Sequence, residues 1–374
     1  MTKYRFDEIA INSTQKKKPT EEDKVYYIGL EHIDPGCFDV VRWGSDVAPT
    51  GDKLLMQKGD VLFGKRRAYQ RKVAIAPFDG IFSAHGMVLR PNLKVIDANY
   101  FPFFISSDKF METAVRISVG GLSPTINWKD LAKQEFELPS LEEQKVLADK
   151  LWAAYRLKQA YKKLLAATDE MVKSQFIEMF GNQNTNDKGW TESLVKDEFK
   201  LSMGKTPARN NPECWDNGTH KWVSISDMSS YTRYTGDTSE YITDYAIADS
   251  GIKAVPKGTI IMSFKLSIGR TAITSEDLYT NEAIMAFAGF DEKKFNIDFL
   301  HFLIANKDWL LGAKQAVKGQ TLNKESIGNA KIIIPPIEAQ EEFASIYNQA
   351  DKSKFELKQC IEHIDKVIKS LING

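Results

Sequence analysis

Net charge is the first thing this chain lacks: its 374 residues carry 50 Lys and Arg against 50 Asp and Glu. That balance counts against a general nucleic-acid coat, which is strongly basic, so any contact with phosphates has to come from local clusters. Cysteine is scarce, with Cys37, Cys214 and Cys360 far apart. They match neither a disulfide framework nor a zinc-site spacing, and a reduced, cytoplasmic setting is expected. The five histidines, His32, His85, His220, His301 and His363, include no HExxH pair, so no metal site is expected. No run approaches the roughly 18 apolar residues of a membrane span. The opening MTKYRFDEIAINST has no signal-like apolar core, and neither secretion nor membrane insertion is expected.

What is present is an ordinary globular composition, 43% apolar and 27% charged, in a chain longer than one core usually organises. Two domains with connecting helices are the natural expectation.

The chain also repeats itself. TINWKDLAKQEFELPSLEEQ, from Thr125 to Gln144, returns as TLNKESIGNAKIIIPPIEAQ, from Thr321 to Gln340. Setting residue n against n+196 pairs Asn127 with Asn323, Pro139 with Pro335, Gln144 with Gln340, Lys158 with Lys354 and Asp169 with Asp365. The apolar register repeats as well. Leu147, Leu151, Ala154, Lys158, Tyr161, Leu165, Thr168, Val172 and Gln175 alternate steps of four and three, as a coiled-coil seam does. Their counterparts run from Phe343 through Tyr347, Ala350, Lys354, Leu357, Ile361, Ile364 and Ile368 to Leu371. Each helix is predicted to start after a proline, Pro139 or Pro336, with glutamates suited to the positive helix end, and to run about 35 residues. Gly181 is expected to close the first. Lys158 and Lys354 are expected to set register within the seam.

Upstream of each helix the echo is fainter. KGDVLFGKRRAYQRKVAIAP from Lys58 and KGTIIMSFKLSIGRTAITSE from Lys257 both read as Gly-punctuated strands and hairpins. Helix-like stretches follow, YFPFFISSDKFMETAVR and FLHFLIANKDWLLGAKQ. The predicted class is α+β: mixed α/β domains over 1–138 and 182–335, and long helices over 139–181 and 336–374. If the seams bury each other antiparallel, a pseudo-twofold axis relates the halves.

This layout resembles the specificity subunit of type I restriction-modification systems over nearly the whole chain. The repeated blocks carry the resemblance, together with WTESLVKDEFKLSMGKTPARNNPECW and KWVSISDM at the start of the second variable domain. The resemblance implies two target recognition domains that read the halves of a split site in double-stranded DNA, with the helices as spacer. It implies two methylation subunits as partners, restriction/translocase subunits in the full complex, and no catalysis in this chain. S-adenosylmethionine would then belong to the methylation partner, and ATP and magnesium to the restriction partner. The first domain departs from the pattern in lacking the Gly-Lys-Thr-Pro turn found at Gly204 to Pro207.

A DNA reader needs cations for phosphates and forked or amide side chains for base edges. The densest basic stretch supplies Lys58, Lys65, Arg66, Arg67, Arg71 and Lys72, with Tyr69 and Gln70 among them and Asp60 as the single acid. His85 is a further candidate. In the second half the corresponding stretch offers Lys265, Ser267 and Arg270, and the Gly204 turn adds Lys205, Thr206 and Arg209. For the first stretch a solvated hairpin is an equal alternative, and for the second turn a plain tight turn is slightly preferred. A nucleotide-binding loop is excluded because Phe199 stands where its first glycine belongs. Pro335 and Pro336 lack the flanking residues of an adenine-methylating motif, since Ile334 and Ile337 surround them. Asn127 and Asn323 read as helix caps. A stand-alone DNA-modifying enzyme and a helical scaffold with no nucleic-acid role remain the rival functions.

Overall fold

Strand pairing explains why the upstream echo exists. In the computed structural model, which describes residues 1–265, 267–311 and 322–373, the chain forms two compact units. One comprises Met1–Leu164 with Leu357–Gly374, the other Leu165–Glu356. These units do not end where the sequence repeat places its boundaries. Each takes in part of both long helices, because the ends of those helices pack into the domain cores.

In the first unit Thr2–Arg5 pairs antiparallel with Glu135–Leu138, the strand that leads into the first long helix. An antiparallel sheet runs in the order Ala10–Ser13, Met87–Pro91, Val61–Phe63, Val73–Ile75. A second sheet orders Lys16–Lys17, Lys53–Met56, Gly80–Phe82 and Tyr27–Ile28, the last pair parallel. Successive side chains of a strand point to opposite faces, which sends Leu62 to one cluster and aims Phe63 into another with Phe6, Phe104, Phe110 and Phe136, where Phe6 and Phe110 lie 5.2 Å apart.

The second unit repeats most of this plan by itself, its second sheet having three strands in place of four. Thr191–Leu194 pairs with Lys331–Ile334. Lys200–Met203, Ile284–Ala288, Ile260–Ser263 and Thr271–Ile273 reproduce the order of the first antiparallel sheet. His220–Val223 lies parallel to Tyr279–Thr280, as Tyr27–Ile28 lies to Gly80–Phe82. Phe176, Phe180, Phe299 and Phe343 form its aromatic centre.

The helix-like stretch YFPFFISSDKFMETAVR forms two helices, Phe101–Ser106 and Asp108–Arg116. Ser107 divides them: its extended backbone ends the first, and its hydroxyl accepts from Phe110 N at 3.2 Å to cap the second. The counterpart Ile297–Ala305 is capped by Asn296. The rest of FLHFLIANKDWLLGAKQ beyond Leu311 lies outside the described residues, as does Thr321.

The long helices span Leu141–Phe180, 40 residues, and Ile337–Asn373, 37 residues, somewhat more than the seam predicts. Ser140 and Glu143 close a reciprocal cap at the first start, at 3.3 and 2.8 Å. Gly181, at φ +73°, ends that helix with its N–H on Ile177 O at 2.8 Å. Every predicted seam position is buried or half-buried. Within the first unit, Leu147 and Trp152 share a cluster with Ile368, Leu371 and Ile372. Within the second, Val172 and Phe176 share one with Phe343, Tyr347 and Ala350. In each unit, then, the start of one helix meets the end of the other, which is antiparallel pairing.

Lys158 pairs with Asp365 and Lys354 with Asp169, the latter at 3.0 Å. The two ion pairs are the same contact written twice, because each partner's counterpart lies 196 residues away. Gln144 and Gln340, both fully buried, repeat another contact. Gln144 accepts from Asp97 N at 2.8 Å and donates to Val95 O and Pro139 O. Gln340 accepts from Asn296 N at 3.0 Å and donates to Lys294 O and Pro335 O. A buried amide with its hydrogen bonds filled fixes each helix start against its own domain. No helix among the described residues is long and apolar enough to cross a membrane.

Candidate nucleic-acid interface

The basic stretch of the first unit is the loop of a hairpin, residues 64–72 joining strand Val61–Phe63 to its antiparallel partner Val73–Ile75. After strand Val61–Phe63 the chain makes a short turn over Ala68–Gln70, bracketed by Arg67 at φ 56° and Arg71 at φ 52°. Left-handed backbone is costly for a residue with a side chain, and two such arginines so close together mark a turn held by its surroundings. The constraints are visible. Arg67 N donates to Pro124 O at 2.7 Å, and the Arg67 guanidinium donates to Ser123 Oγ at 3.0 Å. Arg66 N donates to His85 O at 3.1 Å, and Ile126 N to Lys65 O at 3.1 Å.

Together these residues line a cleft of about 310 Å³ formed by Tyr27, Leu30, Glu31, Arg66, Arg67, Gln70, Ser83 and His85. Its floor mixes guanidinium, amide, carboxylate, hydroxyl and imidazole groups, a set able to meet base edges as well as phosphates. Burial, and then the Arg66 and Lys65 cations, push His85 below its ordinary value and favour the neutral ring. Burial lowers Lys65 as well. Arg66 Nη1 and His85 Nε2 are 3.3 Å apart.

Other residues of the stretch are engaged inside the unit. Arg71 donates to Asp108 at 2.6 Å and to Ser106 O at 3.0 Å, so its charge holds the turn against the helix that begins at Asp108. Lys72 donates to Leu30 O at 2.6 Å. Lys58 is exposed at a tight turn, and Tyr69 is 54% exposed. Glu31, Tyr27, Ser83 and Ser123 carry no mark in the sequence pattern. They arrive from distant strands and loops, and no local signal could have found them.

In the second unit the Gly204 turn is structural. Lys205 N donates to Thr280 O at 3.0 Å, and a Cβ on Gly204 would stand 1.7 Å from that same oxygen, so only glycine allows the backbones to approach. Lys205 Nζ donates to Ser250 O at 2.9 Å. The Thr206 hydroxyl donates to Glu282 and holds that carboxyl below its usual range. Arg209 pairs with Glu240 and lies 4.2 Å from the Trp215 ring centroid and 4.6 Å from that of Trp222. Its charge is thus already matched within the unit. Ser267 accepts at its carbonyl from Ser263 Oγ. Lys265 and Arg270 are exposed and form no ion pair among the described residues.

The predicted caps divide. Asn323 accepts from Ser326 N at 2.8 Å, whereas Asn127 occupies the cap position without a side-chain cap bond. No group of three or more His, Cys, Asp or Glu among the described residues could hold a metal ion.

One further contact repeats by position but not by chemistry. Tyr155 and Asp351 are 196 residues apart. The Tyr155 hydroxyl accepts from Phe38 N at 2.8 Å and donates to Asp39 at 2.9 Å. Asp351 instead faces Arg233, which is 3% exposed, contacts Asp298 and lies 4.3 Å from the Tyr347 ring centroid. In each unit this position ties the long helix to a loop of that unit's own domain.

A family model for the type I restriction modification DNA specificity domain matches residues 4–166 and again 187–366. The chain is 25% identical over 191 residues to the specificity subunit of the type I restriction enzyme MjaIX of Methanocaldococcus jannaschii, covering 50% of this chain and 44% of that one. It is 24% identical over 195 residues to the HindI specificity subunit of Haemophilus influenzae, covering 50% and 42%. It thus spans less than half the length of these two relatives. The putative MjaX specificity subunit of Methanocaldococcus jannaschii matches over 94% of this chain and 87% of its own, at 22% identity. Among solved structures, a chain from a type I R-M system superposes with a TM-score of 0.60 at 16% identity, covering 99% and 96%. The type I S subunit from M. genitalium gives 0.57 at 14% identity, covering 99% and 94%. At these identities the structural likeness speaks for the fold alone.

Proposed function

Since the chain belongs to the family of type I restriction modification DNA specificity domains, matched twice along its length, we propose that it is the non-catalytic specificity subunit of a type I complex. Each mixed domain reads one half of a split site in double-stranded DNA, and the paired helices serve as spacer and as the docking surface for two methylation subunits. Restriction/translocase subunits complete the assembly where they are present. The observation that carries this reading is the duplicated module: the same order in the four-stranded antiparallel sheet, the same buried glutamine and the same Lys–Asp pair occur once in each half.

On the first unit, the cleft residues Arg66, Arg67, Gln70 and His85 contact bases and phosphates, with Lys58, Lys65 and Tyr69 beside them. On the second, Lys265 and Arg270 take the corresponding role, with Ser267 between them. Lys205, Thr206 and Arg209 shape the turn, and Arg71 and Lys72 hold the first unit's turn in place. Adenine methylation, with its S-adenosylmethionine, belongs to the methylation partner, and ATP and magnesium to the restriction partner.

The test is a binding titration of the full chain, with and without methylation subunits, on a library of random duplexes across a range of salt. Selection of a split site is expected with the partners present. Arg66→Ala with Arg67→Ala should weaken binding and reduce the salt slope by about one for each phosphate that the variant no longer neutralises. Wild-type binding without sequence preference would overturn the reading, and methyl transfer by the purified chain alone would favour the stand-alone enzyme.

A further inference from the structure

We propose that Leu122 is an apolar wedge that inserts between base pairs beside the basic turn of the first unit. This deepens, and rests on, the DNA-reading role above. Leu122 is 96% exposed, the most exposed large apolar side chain among the described residues. Scattered exposed apolar residues are normal on any protein, so exposure alone does not single it out. Its mounting does.

Leu122 stands at the tip of a short loop closed at its base by reciprocal bonds, Val119 N to Thr125 O at 3.0 Å and Thr125 N to Val119 O at 2.9 Å. Two glycines precede it: Gly120 at φ +111°, and Gly121, whose missing Cβ would meet nothing within 4 Å. The leucine therefore projects without flanking side chains on that side. The following residues lock the loop to the cations. Ser123 Oγ accepts from the Arg67 guanidinium, Pro124 O accepts from Arg67 N, and Thr125 bridges to Arg66.

A rigid apolar tip joined to guanidinium groups suits a duplex better than a protein surface. The arginines engage the phosphates, and the leucine is left facing stacked bases, the apolar part of a nucleic acid. Wedges of this kind unstack one base step at a cost of a few kcal/mol, recovered from the wider contact that a kinked duplex permits. The inserted side chain also gains by leaving water.

The experiment uses the full chain with its methylation subunits and duplexes carrying 2-aminopurine at successive positions of the selected half-site. With the wild type, one step should brighten on binding. Leu122→Ala should return that step to the level of free duplex and weaken binding about tenfold. Its salt slope should fall by less than that of the Arg66→Ala, Arg67→Ala variant, because the arginines keep their phosphate contacts, and Leu122→Trp should restore the signal. A thermal melt identical to wild type is expected for both variants, since the side chain packs against nothing. If the wild type selects its site while Leu122→Ala shows unchanged brightness and affinity, the wedge is wrong and the DNA-reading role stands. Loss of assembly with the methylation subunits would make Leu122 a protein contact and overturn the wedge. Absence of selection by the wild type would remove the DNA-reading role and the wedge with it.

Discussion

His301 is buried at 3% exposure, with Nδ1 3.2 Å from the Tyr347 hydroxyl and Nε2 3.2 Å from the Thr271 hydroxyl. Burial first, and the Arg233 cation second, outweigh Asp351 and Asp298 and lower its pKa to about 4 from the ordinary 6.5. The ring is therefore neutral in the folded unit, while the unfolded chain takes up a proton near 6.5. Stability from this group is complete above that value, falls as the pH drops toward about 4 and levels off below it. Urea unfolding of the wild type between pH 6.5 and 4 should carry a component approaching about 1.4 kcal/mol per pH unit that His301→Gln lacks. An equal slope in the variant would place the acid sensitivity elsewhere. Its two hydroxyl partners give this histidine a structural role. At the same scale, residue type foretells Arg66, Gln70 and His85 as candidates that share one cleft. It could not foretell that Arg209 would stack on tryptophans, because Trp215, Trp222 and Glu240 reach it only through the fold.

At the scale of elements, the long helices are the most legible part of the chain, because a seam repeats a simple physical demand over many turns. Each predicted seam residue is at least half-buried. The place of Lys158 and Lys354 within the seam is readable, whereas their partners are not, since antiparallel pairing has to bring Asp365 and Asp169 alongside. Lys158 has 11% of its side chain exposed and Asp365 has 49%, so solvent screens the pair and its coupling is small. A double-mutant cycle on Lys158→Ala and Asp365→Ala should give about 0.5 kcal/mol of coupling, and the cycle on Lys354 and Asp169 about the same. Zero coupling in both would mean that the ion pairs contribute nothing to helix register. The short helices are less legible. Ser107 splits a helix-like stretch in two by a local cap, a choice that apolar spacing alone does not encode.

At the scale of the whole molecule, the duplication makes a claim about modularity. Each unit has its own aromatic core, its own sheets and its own clasp to a long helix. Replacing residues 1–138 with another recognition domain should therefore change one half of the selected site and leave the other as it was. Methylome sequencing of cells expressing the chimera with its methylation partner reads this directly, and a change in both halves would contradict independent reading. Because Tyr155 and Asp351 clasp their domains by different chemistry, the exchange should include the matching helix residue.

What the amino-acid sequence determined alone was the periodic part: two modules, two long helices, their common register and the density of cations at Lys58 to Lys72. Periodicity survives in one dimension, because burial imposes it at fixed intervals along the chain. What only the tertiary structure decided was which partner each of those cations takes. Arg71 and Lys72 are turned to internal acceptors, while Arg66, Arg67, Gln70 and His85 close a cleft with Tyr27, Glu31 and Ser83. The reason is physical: a charged side chain takes the nearest partner that desolvation allows, and that partner is supplied by segments far away in the chain.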